Sequence, residues 1–454
     1  MLKESLTVGI ILLFISLGIT PIVNSDNPIS TKTIYVDDDN TAGPWDGTQE
    51  HPYRYIQDGI DNASDGDTVF VYSGVYHECI VVNKSITLQG RDKNITIIDL
   101  GSHHPDVAQV LVIDLNWAII KGFKIQNGKY GIHVKNSSDI TITGNTMYNN
   151  IMGIRLYGSS NNMIDHNTLD NYFDGIIIRD SSHNNTILAN SIINNNEDGI
   201  WIQGRSLGNM IIGNTIANNN PYGIVILSQS ENTSILRNII TNSQIGIRSS
   251  SSNNTISNNT IDDNDDGILL DNSSSNVITG NIISGNTNSG LKLNQSHNNS
   301  IYNNLIYDNE REGIWLFHSY YNMFHTNSVS NNRRGFELGG YKNKIWNNVI
   351  ENNSEFGIHY WATCANKIYK NNFINNKEDA SFSHIFLIGY SKIYDFFWIN
   401  NNQLYQNYWG ESRFLPKIIV GNVRIFYDLE NLDSFSLPWC EIDRHPAKEP
   451  YDIT

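Results

Sequence analysis

The chain has 454 residues, of which 46 are acidic and 30 basic, giving a formal net charge of −16 at pH 7. That balance argues against nonspecific nucleic-acid binding, which draws its affinity from cationic contacts to phosphate, so an anionic partner would need a local basic patch. Only 17% of the residues are charged and asparagine is abundant, a composition that fits a disordered polar tract unless the apolar residues are regularly spaced.

The N-terminal stretch MLKESLTVGIILLFISLGITPIVNS has one lysine near its start, an apolar run from Leu6 to Ile19, then Pro21 and small residues to Ser25. Residues 1–25 read as a secretory signal peptide, with an uncleaved membrane anchor as the alternative. No second stretch approaches the roughly twenty apolar residues of a membrane-spanning helix. The expectation is an exported protein, secreted, periplasmic or on the cell surface, with no transmembrane span after signal cleavage. Cys79, Cys364 and Cys440 are odd in number and show no CxxC spacing, so they define neither a disulfide framework nor a zinc site.

From residue 126 to 375 the chain repeats. Glycine followed by an apolar residue recurs at positions 131, 153, 175, 199, 223, 246, 267, 290, 313, 335 and 357, at intervals of 21 to 24 residues. In phase with it run Asn145, Asn167, Asn190, Asn214, Asn238, Asn259, Asn281, Asn304, Asn327, Asn348 and Asn371. After each glycine the apolar residues alternate, as in GIHVKN, GIRLYG, GIWIQG and GIWLFH, and a period of two means strands with one buried face. Strands of about four residues cannot stand alone, so successive units must stack about 4.8 Å apart around a shared interior. In such a stack an asparagine at the same turn of every coil passes side-chain amide hydrogen bonds along a ladder. The recurrent glycine is expected to supply a turn with positive φ.

This pattern resembles the right-handed parallel β-helix repeat, in particular the NosD-like periplasmic copper-binding and "carbohydrate-binding and sugar hydrolysis" domains of exported bacterial and archaeal proteins. The resemblance runs from about residue 33 to 454. It implies an N-terminal cap and first coils over 33–125, where IQDGIDNASDGDTV supplies a short capping helix and a strand and GVYHECIVVNKSITLQG the next rungs. Regular repeats of about 22–24 residues follow over 126–375, then last coils and a C-terminal cap over 376–454, with NQLYQNYWG and DRHPAKEPYDI similar to the family's closing segment. The expected fold is therefore all-β, a capped solenoid of about fourteen coils. Copper is implied by the family name alone.

If the first and third residues after each glycine point inward, the second and fourth point outward. Two groups then stand out. His133, Lys135, Arg155, Tyr157 and Arg179 make a basic group on an acidic protein; Trp315, Phe317, Glu337, His359 and Trp361 make an aromatic group around one acid and one histidine; Trp201 lies between them. Arginines such as Arg155 and Arg179 bind a uronate carboxylate bidentately, while His133 or Lys135 could remove a proton and Tyr157 donate one, as elimination or epimerisation of an acidic polysaccharide requires. Rows of aromatic rings suit sugar faces, which would make Trp201, Trp315, Phe317, Glu337, His359 and Trp361 binding residues. The bland alternative is an ordinary solvated face.

Other chemistry has weaker support. Glycoside hydrolysis needs two carboxyls flanking one bond, and these outward columns supply only Asp271 and Glu337, about 14 Å apart by strand spacing. The acidic runs IDDNDDGILLDN and VDDDNTAGPWDG offer oxygen ligands of the kind calcium prefers, without the EF-hand pattern. The leading function is noncatalytic recognition of a polysaccharide or cell-surface glycan by a monomer. A polysaccharide lyase or epimerase acting on acidic glycans is the second reading, and a NosD-like accessory role in copper handling the third.

Overall fold

The structure is a computed structural model that describes residues 31–227, 229–361, 365–387, 402–410, 417–428, 433–443 and 445–453. The expected signal peptide, residues 1–25, lies outside the described residues. Each regular coil contributes three short strands, and Thr255–Ser257, Thr260–Asp262 and Asp266–Asp271 are one such set. Equivalent strands of successive coils pair in parallel, which makes three sheet faces. The first face stacks sixteen strands, from Thr33–Val36 to Gln403–Tyr405. The third face consists of the strands that begin at the recurrent glycines.

The register places like on like. Ile256 pairs with Ile278 and Ile278 with Ile301 on the first face. Ile261, Ile283 and Ile306 do the same on the second, and Ile268, Leu291 and Ile314 on the third. All nine side chains are fully buried. Burying each contributes about 1.5–3 kcal/mol, so every coil adds three or four such terms to a column that no coil could form alone.

Polar turns between the faces are held by three asparagine ladders, where the sequence pattern had singled out one. The expected ladder, between first and second faces, passes from Asn281 to Asn304 to Asn327, each backbone N–H and each side-chain amide donating to Oδ1 of the next asparagine at 3.0 Å or less. A second ladder lies between second and third faces, as in Asn286, Asn309 and Asn332. A third closes the coil between third and first faces, as in Asn276, Asn299 and Asn322. These amides occupy the corners of a dry interior, where an unpaired polar group would be costly.

The glycine expectation is corrected. Gly131, Gly153, Gly267 and their equivalents do not have positive φ; the left-handed backbone sits one residue before the ladder asparagines, at His166 (φ 53), Asn258 (φ 55), Asn303 (φ 57) and Lys370 (φ 56). Glycine recurs because the corner is crowded. A β-carbon on Gly267 would lie 2.5 Å from the carbonyl oxygen of Gly290 and 2.7 Å from Cγ2 of Ile283.

Both ends are closed. At the N-terminal end a six-residue helix, Ile56–Asp61, buries Ile56, Gly59 and Ile60, and the Glu78 carboxylate of the GVYHE stretch accepts the N–H groups of Ile56 and Gln57 at 2.8 and 3.0 Å. At the other end the strands Lys417–Asp428 and Asp433–Asp443 form an antiparallel pair. The expected asparagine ladder terminates there on buried Asp443, whose Oδ2 accepts from the Asn407 backbone and from Trp409 Nε1, both at 3.1 Å.

Candidate functional site on the third face

On the third face the residue before a glycine and the second residue after a glycine, of the same coil or the next, come into contact. Arg155 Nη1 donates to Tyr130 Oη at 2.6 Å, and Arg248 Nη1 to Tyr222 Oη at 2.7 Å. The Phe356 and His359 rings stack at 5.3 Å. The face is therefore lined by three columns. The sequence pattern exposed the two after the glycine, while the one before it went unread.

The basic group does assemble. The Arg155 guanidinium lies 5.1 Å from the centroids of both Tyr130 and Tyr157. His133 packs against Tyr130 at 5.0 Å and edge-on to Tyr157 at 6.5 Å. Burial, reinforced by the charges of Arg155, Lys135 and Lys129, pushes His133 down to about 4, so at neutral pH it is an uncharged imidazole. Its Nε2 and Arg155 Nε are buried without a hydrogen-bond partner. Most cations of the face have a carboxylate: Arg248 pairs with Asp271 at 3.1 Å, Lys292 with Asp266 at 3.8 Å and Arg334 with Glu337 at 3.1 Å. Arg179 is likewise paired, with its neighbour Asp180 at 2.6 Å, which separates it from Arg155 in role. Among the described residues Arg155 and Lys135 have no carboxylate partner.

The aromatic group also assembles, around a different centre from the one expected. Phe317 contacts Trp315 at 6.4 Å and Trp361 at 5.7 Å, and Lys292 Nζ lies 4.2 Å from the Trp315 ring centroid. Glu337, expected as an outward acid, is buried and engaged by His359 Nδ1 at 2.8 Å and Arg334 Nη1 at 3.1 Å. The middle of the outward column is not an open surface either, because Ile177 and Val225 are buried and make a dry wall on either side of partly buried Trp201.

Against that wall stands a pair the sequence pattern missed, Asp174 and Asp198, the residues before Gly175 and Gly199. Their coils are paired through Ile176 and Ile200, and the Gly175 N–H donates to the Asp198 carbonyl at 3.0 Å. Asp174 Oδ1 accepts the Asp198 backbone N–H at 3.1 Å. Asp174 is 4% exposed and Asp198 9%. Burial raises Asp174 to about 6, despite the hydrogen bond from Asp198. Burial, with the charges of Asp174 and Glu197, raises Asp198 to about 7 against the lowering pull of the Tyr222 N–H and Arg248. Exposed Tyr172 and Phe173, in contact edge to face at 5.0 Å, immediately precede Asp174. Reading the column before each glycine in the same phase would have revealed the pair.

Among the described residues no group of three or more His, Cys, Asp or Glu side chains is arranged to hold a metal ion. His359 Nδ1 contacts Glu337 and its Nε2 lies 3.3 Å from Ser383 Oγ, and no further donors converge with them among the described residues. In the two acidic runs Asp266 and Asp271 are ion-paired and Asp38 Oδ2 accepts the Val75 N–H. No helix of the described residues is long and apolar enough to cross a membrane.

Two families match this chain, each over less than half of its length. The family described as periplasmic copper-binding protein (NosD) matches residues 60–252, and the right handed beta helix region matches residues 225–376. Over 99 residues the chain is 38% identical to a cell surface glycoprotein of Methanothermus fervidus, a stretch covering 21% of this chain and 16% of that protein. The chain thus matches about a sixth of that curated relative's length. Among solved structures it is similar to the A-module of the Azotobacter vinelandii mannuronan C-5 epimerase AlgE4, at 15% identity and TM-score 0.40, covering 76% of this chain and 97% of that one. It is also similar to the Dettilon tailspike protein, at 14% identity and TM-score 0.40, covering 85% and 72%. Likenesses of that size say nothing of this chain's activity.

Proposed function

We propose that this is an exported β-helix protein that recognises an acidic polysaccharide or cell-surface glycan along its third face, with the group around Arg155 holding a sugar carboxylate. The observation that carries this reading is the state of Arg155. Its neighbours Arg179, Arg248, Lys292 and Arg334 are each neutralised by a carboxylate. Arg155 instead is clamped between two tyrosine rings, with Lys135 on the same strand register as Tyr157. A fixed guanidinium without an internal anion is suited to a bidentate carboxylate from outside. The surrounding negative charge would discourage anions elsewhere. Trp315, Phe317 and Trp361 offer a separate apolar surface for neutral sugars. The match to a cell surface glycoprotein is consistent with a place outside the cell.

The test is binding of polygalacturonate and alginate to the purified chain, with a neutral glucan as comparison. Arg155→Ala should weaken acidic-glycan binding by roughly tenfold or more, the loss of one charge-assisted bidentate contact, and leave the neutral glucan unaffected. Arg179→Ala should have little effect. Unchanged acidic-glycan binding in Arg155→Ala would leave this group as a solvated face.

A second reading, elimination or epimerisation, is favoured by His133. It is held neutral with a buried, unpartnered Nε2 beside Arg155 and Tyr157, as a proton-abstracting base would be. Unsaturated products absorbing in the ultraviolet, abolished in Tyr157→Phe while binding persists, would establish it.

A further inference from the structure

We infer that the C-terminal end of the first face binds a phosphate monoester, a doubly charged oxyanion borne on a small organic group, in a groove between Tyr321, Lys342, Lys344, Ala365, Lys367 and Gln403. The groove has a volume of about 290 Å³, near the lower limit of small-molecule sites. It lies on a different face from the Arg155 group, and the inference stands independently of the glycan reading above.

The groove follows from the stacking of the coils. Tyr321, Lys342 and Ala365 occupy one corner position in three successive coils, each one residue before a ladder asparagine and each with positive φ, at 60, 58 and 56. Two of the three carry long side chains, and the methyl group of Ala365 leaves a notch in the row. Beside this corner, Lys344, Lys367 and Gln403 open three strands that pair in parallel, so their equivalent atoms sit about 4.8 Å apart. All three side chains are exposed. Two residues further along the same strands, Trp346 stacks on Tyr369 at 6.0 Å and Tyr369 on Tyr405 at 4.9 Å, which borders the lysine column with an aromatic ridge.

Charge selects the ligand. Lys344 and Lys367 adjoin in register, and among the described residues neither has a carboxylate or a hydrogen-bond partner. No acid lines the groove, and none of the outward residues on the strands of this face from Ser300 to Tyr405 is acidic. In a chain of net charge −16 that is an exception, since Arg248, Lys292 and Arg334 of the third face each meet a carboxylate. Like charges on adjacent rungs repel, and a ligand with two negative charges relieves both. Ammonium groups are compact point charges without the guanidinium fork that matches a carboxylate, so a phosphate suits them better than a uronate does. Lys342 Nζ donates to Tyr321 Oη at 3.0 Å and lies 5.2 Å from the centroid of that ring, which holds Tyr321 at the edge of the groove. Tyr321 is 48% exposed and offers its ring to the organic part of the ligand, while the Gln403 amide supplies a neutral donor.

The experiment titrates the full chain at pH 8 with phenyl phosphate, a dianion there because its second ionisation lies near about pH 6. Phenyl sulfate, of the same shape with one charge, and inorganic phosphate are titrated beside it, and binding is followed by calorimetry and ligand NMR. The expected result is saturable binding of phenyl phosphate, weaker binding of inorganic phosphate, and binding of phenyl sulfate weaker by about tenfold or more. Lys344→Gln and Lys367→Gln should each weaken phenyl phosphate by about fivefold and the double variant by about twentyfold or more, while Lys121→Gln, toward the other end of the same face, leaves it unchanged. Both positions are exposed, so the variants should melt as the wild type does. Equal affinity for phenyl phosphate and phenyl sulfate overturns the doubly charged ligand. Phenyl phosphate binding undiminished in the folded double variant, or no saturable binding to the wild type, overturns the site itself.

Discussion

A β-carbon built on Gly267 would stand 2.5 Å from the carbonyl oxygen of Gly290, one coil further on, and the same approach recurs from Gly153 to Gly175 and from Gly335 to Gly357. The glycine column is thus a contact between backbones. Gly267→Ala should destabilise the protein by about 1–3 kcal/mol through overpacking, although its φ suits any residue. Gly213 provides the contrast, since it has φ 61 and nothing within 4 Å of a β-carbon. Its replacement by Asn, the residue at the equivalent positions 258 and 303, should be nearly neutral. Chemical denaturation of both variants checks the pair of expectations, and equal stability of Gly267→Ala and wild type would sink the close-approach explanation.

Asn304 is a rung with partners on every side. Its Oδ1 accepts the Asn281 N–H at 3.0 Å and the Asn281 amide at 3.0 Å, while its own amide reaches the carbonyls of Ile278 and Tyr302 and Oδ1 of Asn327. Asn304→Ala strands a buried donor on Asn281 and buried acceptors on its other side, so the expected cost is about 2–4 kcal/mol. Exposed Asn303, next to it, takes no place in the ladder. Urea melts should show Asn304→Ala well below Asn303→Gly in midpoint, and matching midpoints would mean that ladder amides are replaced by water at little cost.

The period-two alternation and the phase of Gly and Asn were enough to read the solenoid, because stacking copies one local pattern into every coil. Ile256, Ile278 and Ile301 are in the column that their sequence spacing required. The positive φ was misplaced because both tight turns and close contacts select glycine, and composition does not distinguish them. The site was only half legible. Outward position follows from alternation, so His133, Arg155 and Tyr157 could be grouped. Contacts made by the residue before each glycine depend on the corner geometry, which no alternation rule describes, so alternation does not bring out the contact between Asp174 and Asp198. Ion pairing is equally silent in the pattern: nothing in it separates Arg155 from Arg179, whose partner is simply the next residue, Asp180.

Protonation of the third face should register in stability as well as in chemistry. Asp174 and Asp198 titrate near 6 and 7 in the folded chain, above the ordinary aspartate value of 3.8, because burial, the neighbouring carboxyl and Glu197 disfavour their charge. Their contribution is therefore fully present below about pH 3.8 and is lost as pH rises through 6 to 7. His133 runs the opposite way. With its value depressed from 6.5 to about 4 by burial, Arg155, Lys135 and Lys129, it favours the fold above pH 6.5 and loses that contribution as pH falls through 4. The double variant Asp174→Asn, Asp198→Asn should then be more stable than wild type at pH 8 by on the order of a few kcal/mol, a difference that closes as pH approaches 4. His133→Gln should spare the protein part of its loss between pH 6.5 and 4 and change little at pH 8. Thermal melts of the three proteins from pH 4 to 8 test both signs at once. A gain at pH 8 would show a fold that sacrifices stability to keep two carboxyls buried, whereas melting curves that superimpose at every pH would mean that water reaches both carboxyls and leaves them at their ordinary values.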